Sequence, residues 1–113
     1  MINVTIFRDG EKNIYGFRLS GHAGYAEEGS DIVCSAVTIL VFNTINCIEL
    51  FCDEPFEMEA DEKKGGFIEY SLPEMKQGKK NHDVQLLLKA MLHGLTDIEN
   101  EYSGYISINF EEV

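Results

Sequence analysis

Residues 31–51 read DIVCSAVTILVFNTINCIELF, and how this stretch is taken decides the fold. At 100° per residue its polar members Asp31, Ser35, Thr38, Asn46 and Glu49 fall within about 80° of one another. The rest of the circumference is apolar, so the stretch predicts one long helix from Asp31 to Phe51 with most of its surface inside. Its length raises the question of a membrane span. Asn43, Asn46 and Glu49 interrupt it and no basic residues flank it, which reads as a buried helix and not a span.

Strand patterns lie on either side. Ile2, Val4 and Ile6 alternate with Asn3, Thr5 and Phe7, the period of a half-buried strand. Asp9-Gly10 turns the chain and a second strand runs from Ile14 to Ser20. After Pro55, the residues Phe56, Met58 and Ala60 alternate with Glu57, Glu59 and Asp61. Lys63 to Gly66 turns, Phe67 to Leu72 returns as a strand, and Pro73 to Asn81 reads as a polar loop. His82 to Tyr102 predicts a second helix, with Val84, Leu87, Leu88, Met91, Leu92, Leu95, Ile98 and Tyr102 at helical spacing. Ile106, Ile108 and Phe110 alternate in a last strand. The order is ββαββαβ. Strands joined by tight turns are antiparallel, and two such helices cover one face of a sheet. The expected class is therefore α+β, a two-layer sandwich with a mainly antiparallel sheet and two helices packed on one face. The bare face would carry Asn3, Thr5, Phe7, Glu57, Glu59, Ser107 and Asn109.

The chain has 113 residues, 44% hydrophobic and 26% charged, which is ordinary usage for a single domain spanning residues 1–113. Nine Lys and Arg against 20 Asp and Glu give a formal net charge of −11. Nucleic acids and anionic membranes demand a basic face, so neither is an expected partner. A basic polypeptide would be attracted at long range. Cys34, Cys47 and Cys52 form no CxxC pair, so they suggest neither a disulfide framework nor a zinc site, and point to a reducing, cytoplasmic location. No signal peptide is expected, because polar alternation already begins at Ile2.

Chemistry concentrates in residues 20–36, SGHAGYAEEGSDIVCSA. His22 stands just past a strand end and Cys34 in the first turn of the long helix. A glycine-bearing loop between them can fold back and join them. Ser30 or Asp31 is a suitable N-cap; with Asp31 as the cap, Cys34 is the third helical residue. Its sulfur then lies near unpaired backbone N–H groups and the positive helix end, which favour a negatively charged nucleophile. The same N–H groups can hold an oxyanion, and His22 can carry protons between thiol and leaving group. Spacing alone fits other roles as well: cysteines in apolar helices commonly pack in cores, and Asp31 has a capping duty of its own. His82 and His93 are eleven residues apart on the second helix, about 16 Å of rise, too far to share a metal ion.

Gly21-His22-Ala23, a glycine-containing loop, and Gly29-Ser30-Asp31-Ile32-Val33-Cys34-Ser35-Ala36-Val37 together resemble the signature of the ribosomal-processing cysteine proteases, the Prp family. The resemblance extends over essentially the whole chain through its length, its element order, Gly94-Leu95 in the second helix and the closing strand. It implies a cysteine endopeptidase with Cys34 as nucleophile and His22 as base and acid. The implied substrate is a large-subunit ribosomal protein, the twenty-seventh of the L series, whose N-terminal extension is removed during ribosome assembly. The scissile bond would follow a short apolar, aromatic stretch. The resemblance also implies a cytoplasmic homodimer without metal or cofactor. The segment Gly24, Tyr25, Ala26, Glu27, Glu28, Gly29 is expected to close over substrate, with Tyr25 on aromatic residues and Glu27 or Glu28 on a basic one. The competing expectation is a non-catalytic module that grips a basic ribosomal peptide.

Overall fold

The computed structural model describes residues 1–21, 30–61 and 66–112, without the side chains of residues 30 and 31. Among the described residues five strands and three helices follow in the order β1 (Ile2–Arg8), β2 (Ile14–Ser20), α1 (Ser30–Phe51), β3 (Glu57–Asp61), β4 (Phe67–Ser71), α2 (Pro73–Lys76), α3 (His82–Glu101) and β5 (Ile106–Glu112). The strands form one sheet in the order β3-β4-β2-β1-β5. Every pairing is antiparallel except that of β5, which runs parallel to β1. The α+β sandwich expected from the sequence is the fold observed.

The core lies between the sheet and the two long helices. Ile2, Val4 and Ile6 of β1, Phe17 and Leu19 of β2 and Tyr70 of β4 meet Val33, Val37, Val41, Ile45 and Ile48 of α1 and Val84, Leu88, Met91 and Leu95 of α3, all buried. Registers Asn3↔Ser107, Thr5↔Asn109 and Glu57↔Ser71 put the predicted polar residues on the opposite face. The helices approach closely where Gly94 of α3 faces Leu40 of α1; a Cβ at position 94 would stand 2.7 Å from a Leu40 methyl.

Two expectations are corrected. The loop predicted from Pro73 to Asn81 begins with one helical turn, α2, started by Pro73 and anchored by the buried Met75. Its polar neighbours Glu74, Lys76 and Gln77 concealed that single apolar anchor. The other correction concerns α1, which is less covered than its composition suggests. Ile32, Ile39, Leu50 and Phe51 are 61%, 69%, 74% and 75% exposed. A helix in a two-layer fold gives one flank to the sheet and one to its neighbour helix, and its outer flank has nothing left to bury against.

Buried polar groups find partners across elements. A register shift after Phe7 leaves Tyr15 as an extra residue in β2, and its ring stacks on Phe7 with centroids 6.0 Å apart. Beside the shift, Gln85 of α3 accepts from the Ile14 N–H at 2.8 Å and donates to the Ile14 carbonyl at 2.6 Å. Asn81 caps α3 by accepting from the Val84 N–H, and its amide donates to the buried Glu54 carboxylate at 3.0 Å. Lys79 completes that group with its ammonium 3.2 Å from Glu54. Among the described residues three buried side-chain atoms lack a hydrogen-bond partner: Arg8 Nε, the second Glu54 carboxylate oxygen and the Tyr70 hydroxyl. Tyr70 is fully covered, its ring between Phe17 and Phe56 at centroid distances of 5.3 Å, and its hydroxyl has no hydrogen-bond partner among the described residues.

Tyr70→Phe keeps the ring and removes an unpaired polar atom, so it raises unfolding stability by about 1 kcal/mol at pH 7 in urea denaturation. Burial, with the nearby Glu49, pushes the Tyr70 phenol up from 10.0 to about 12. The protonated phenol is therefore the form the fold prefers. Its contribution is complete below pH 10.0 and is lost as pH rises to about 12, and the phenylalanine variant lacks this part of the alkaline loss. A marked loss of stability at pH 7 would show instead that the hydroxyl is partnered.

Candidate active site

The site is built where α1 starts above the end of β2. α1 begins at Ser30, so both Ser30 and Asp31 are inside the helix, and Cys34 is its fifth residue and not its third. The expected capping by Ser30 or Asp31 rests on side chains that lie outside the described residues. The consequence for the sulfur is small. The N–H groups left without an intrahelical partner are those of the first four residues, and helical side chains lean back toward the N-terminus. The Cys34 side chain thus projects over the turn that carries these donors.

Cys34 is half-buried and lies one position beyond Val33, which has no exposed surface. It opens on a pocket of about 260 Å³ walled by Thr38 and Phe42 of α1, Gly21 after β2, Ala60 of β3 and Phe67 of β4. The lining is largely apolar and has room for one aromatic or large aliphatic side chain. A second, more open depression of about 280 Å³ reaches the same cysteine between Ser35, Thr38 and Ile39. The thiol is therefore accessible to a chain passing over the helix with one side chain lowered into the pocket. A larger hollow, about 420 Å³ on the uncovered sheet face, is walled by the Arg18–Glu69 ion pair and Lys76 and contains no cysteine.

Gly21 connects this pocket to the histidine of the motif. Its φ of +89° lies in the left-handed region that side chains avoid, and a Cβ there would collide with the Met1 carbonyl oxygen. The glycine of Gly21-His22 is thus required by backbone shape, and it turns the chain out of β2 beside Cys34. His22, the segment Gly24, Tyr25, Glu27, Glu28 and Gly29, and the Asp31 side chain lie outside the described residues.

The other cysteines are placed differently. Cys52, at the end of α1, packs against the core, and burial followed by the charges of Asp83 and Glu54 pushes its thiol up. The Cys47 thiol donates to the side-chain amide oxygen Oδ1 of Asn43, 3.9 Å away on its own helix. Among the described residues no group of three or more His, Cys, Asp or Glu is arranged to hold a metal ion. His82 and His93 are both exposed and stand beside Asp83 and Asp97, respectively. The pocket walls from β3 and β4 were not anticipated from sequence. Ala60 and Phe67 are ordinary members of alternating strands, and only the hairpin's fold brings them to Cys34.

The chain is similar to known proteins over nearly its whole length. Residues 1–107 match the family described as Cysteine protease Prp. The Ribosomal processing cysteine protease Prp of Bacillus subtilis is 34% identical over 109 residues, 96% of either chain. Two crystal structures of the Staphylococcus aureus ribosomal processing protease Prp superpose on 98% of this chain and 100% of theirs. The one in complex with a substrate peptide has a TM-score of 0.84 at 31% identity. The one with a covalently linked product peptide has 0.83 at 32%.

Gly21→Ala forces a side chain into a strained φ against the Met1 carbonyl. It lowers unfolding stability by about 1–3 kcal/mol in urea denaturation. An unchanged midpoint would show that the backbone here tolerates a side chain.

Proposed function

The chain belongs to the cysteine protease Prp family, and from that premise we propose that it removes the N-terminal extension of the twenty-seventh large-subunit ribosomal protein during ribosome assembly. Support comes from the relatives' activity as ribosomal processing proteases and from the peptides bound in the S. aureus structures. The observation that carries the reading is the position of Cys34: first turns of a helix, facing an apolar pocket whose rim includes the residue before His22.

In this reading His22 takes the Cys34 proton and the sulfur attacks the carbonyl carbon of the scissile peptide. Backbone N–H groups at the start of α1 hold the resulting oxyanion. The C–N bond breaks, His22 gives its proton to the leaving amine, and the acyl group remains as a thioester on Cys34. His22 then takes a proton from water, whose oxygen attacks the thioester, and the acid product leaves as the thiol is restored. Asp31 orients the pair. The pocket takes an aromatic or aliphatic residue beside the cleaved bond. Gly24 to Gly29 close over the substrate, with Tyr25 on its aromatic residues and Glu27 or Glu28 on a basic one, and exclude water until the amine has left. The net charge of −11 steers a lysine-rich substrate toward the enzyme. The protein works in the cytoplasm as a homodimer. Its partner copy covers Ile32, Ile39 and Leu50, exposed residues that fall in one line along the outer flank of α1.

Cys34→Ala and His22→Ala each reduce cleavage of the host's ribosomal protein by about 1,000-fold or more while the fold is kept, read by intact mass of the product and by urea denaturation. Cleavage retained in Cys34→Ala would eliminate the mechanism.

A further inference from the structure

β3 is the outermost strand on one side of the sheet, and among the described residues it pairs only with β4. Along Glu57 to Ala60 its other edge faces no strand among the described residues, and its outward backbone N–H and C=O groups are open to pairing. The strand is also bare above. Met58 and Ala60 point to the side on which the helices lie, yet both are exposed, Met58 at 46%, so α1 stops short of covering them. Across from them Phe42 of α1 is 36% exposed. Ala60 and Phe42 both line the Cys34 pocket, and Met58, on the same face of β3, extends that apolar surface along the edge strand. On the opposite face of the same strand stand Glu57 and Glu59, both exposed.

We propose that the free edge of β3 is the rail on which the substrate's extended segment binds, as a sixth strand. The inference rests on the protease reading above and specifies how the same site selects its substrate. Backbone pairing supplies sequence-independent affinity, and the alternation of a strand supplies the selection. One row of substrate side chains faces Met58, Ala60 and Phe42 and is apolar. The other row lies beside Glu57 and Glu59 and favours lysine or arginine. The same carboxylates argue against a second copy of this chain as the occupant. Antiparallel pairing of two β3 edges centred on Glu59 would set Glu59 against Glu59, and like charges directly opposite are destabilising. A basic extended peptide meets no such conflict.

The test is a backbone N-methyl scan of a peptide spanning the cleavage stretch of the host's ribosomal protein, one amide at a time and at least two residues from the scissile bond. The expected result is a loss of kcat/KM of about tenfold at every second position with little change between them. In Cys34→Ala protein, the same unmethylated peptide slows amide exchange at alternate residues of 57–60 by about tenfold, measured by NMR. Glu59→Lys raises KM severalfold at unchanged kcat for a peptide with lysines in the second row, and a glutamate-substituted peptide reverses the change. Cleavage that is indifferent to methylation, uniform loss without alternation, or unchanged exchange on β3 with peptide bound would overturn strand pairing. An unchanged KM in Glu59→Lys would overturn the assignment of the second row. Failure of wild-type protein to cut the unmodified peptide strikes the protease reading beneath the proposal, and so is distinguishable from failure of the rail.

Discussion

The packing of Val33, Val37 and Val41 against the sheet fixes the rotation of α1 about its axis, and that rotation decides where Cys34 stands. All three valines are buried, with at most 1% of their surface exposed. At 100° per residue Cys34 falls on this same stripe, between the buried Val41 and Ile45, so the helix turns it toward the sheet. It is half-covered there and faces the gap beside β3 and β4. A roll of α1 would turn the sulfur away from that gap. Core packing and chemistry are thus coupled through one helix face. A core mutation that rolls α1 affects the thiol without touching it.

The remaining architecture keeps that helix in place while leaving one side of the sheet open. The α3 helix meets α1 at Gly94 and Leu40, where the missing side chain permits close approach. Glu54 follows α1 and, through Asn81 and Lys79, is tied to the start of α3. Gln85 secures the irregular end of the β1–β2 pair from α3. These links gather at the end of the molecule remote from the first turn of α1. At the Cys34 end, by contrast, the walls are backbone at Gly21 and the edges of a two-stranded hairpin. In the function proposed above, rigidity at the first end and access for an extended peptide at the second serve the same reaction.

Much of this was legible in the sequence, for identifiable reasons. Two-residue alternation and the apolar stripe of α3 specified strands, helices and the polar sheet face, because burial on one side leaves a periodic record. Gly21-His22-Ala23 and the stretch around Cys34 carried the resemblance to the family, which the match over residues 1–107 bears out, and a glycine forced by backbone shape is a local signal of that kind. Features that depend on assembly left none. Ala60 and Phe67 join the pocket through strand pairing. The exposed Ile32, Ile39 and Leu50 look like core residues until the second layer is seen to be only one helix deep. Met75, one apolar residue among polar ones, hid a helical turn. The first helical residue was also misplaced by one, as expected where capping residues compete at adjacent positions.

The central claim is that Cys34 is chemically set apart from Cys47 and Cys52 by its place at the head of α1 and by His22. The most direct measurement is the rate of alkylation of each cysteine by iodoacetamide at neutral pH, read by peptide mass mapping in wild type and in His22→Ala. Cys34 is predicted to react about tenfold faster than either other cysteine, with Cys52 slowest, and to lose most of that advantage in His22→Ala. Equal rates at all three positions, or a Cys34 rate indifferent to His22, would contradict the account.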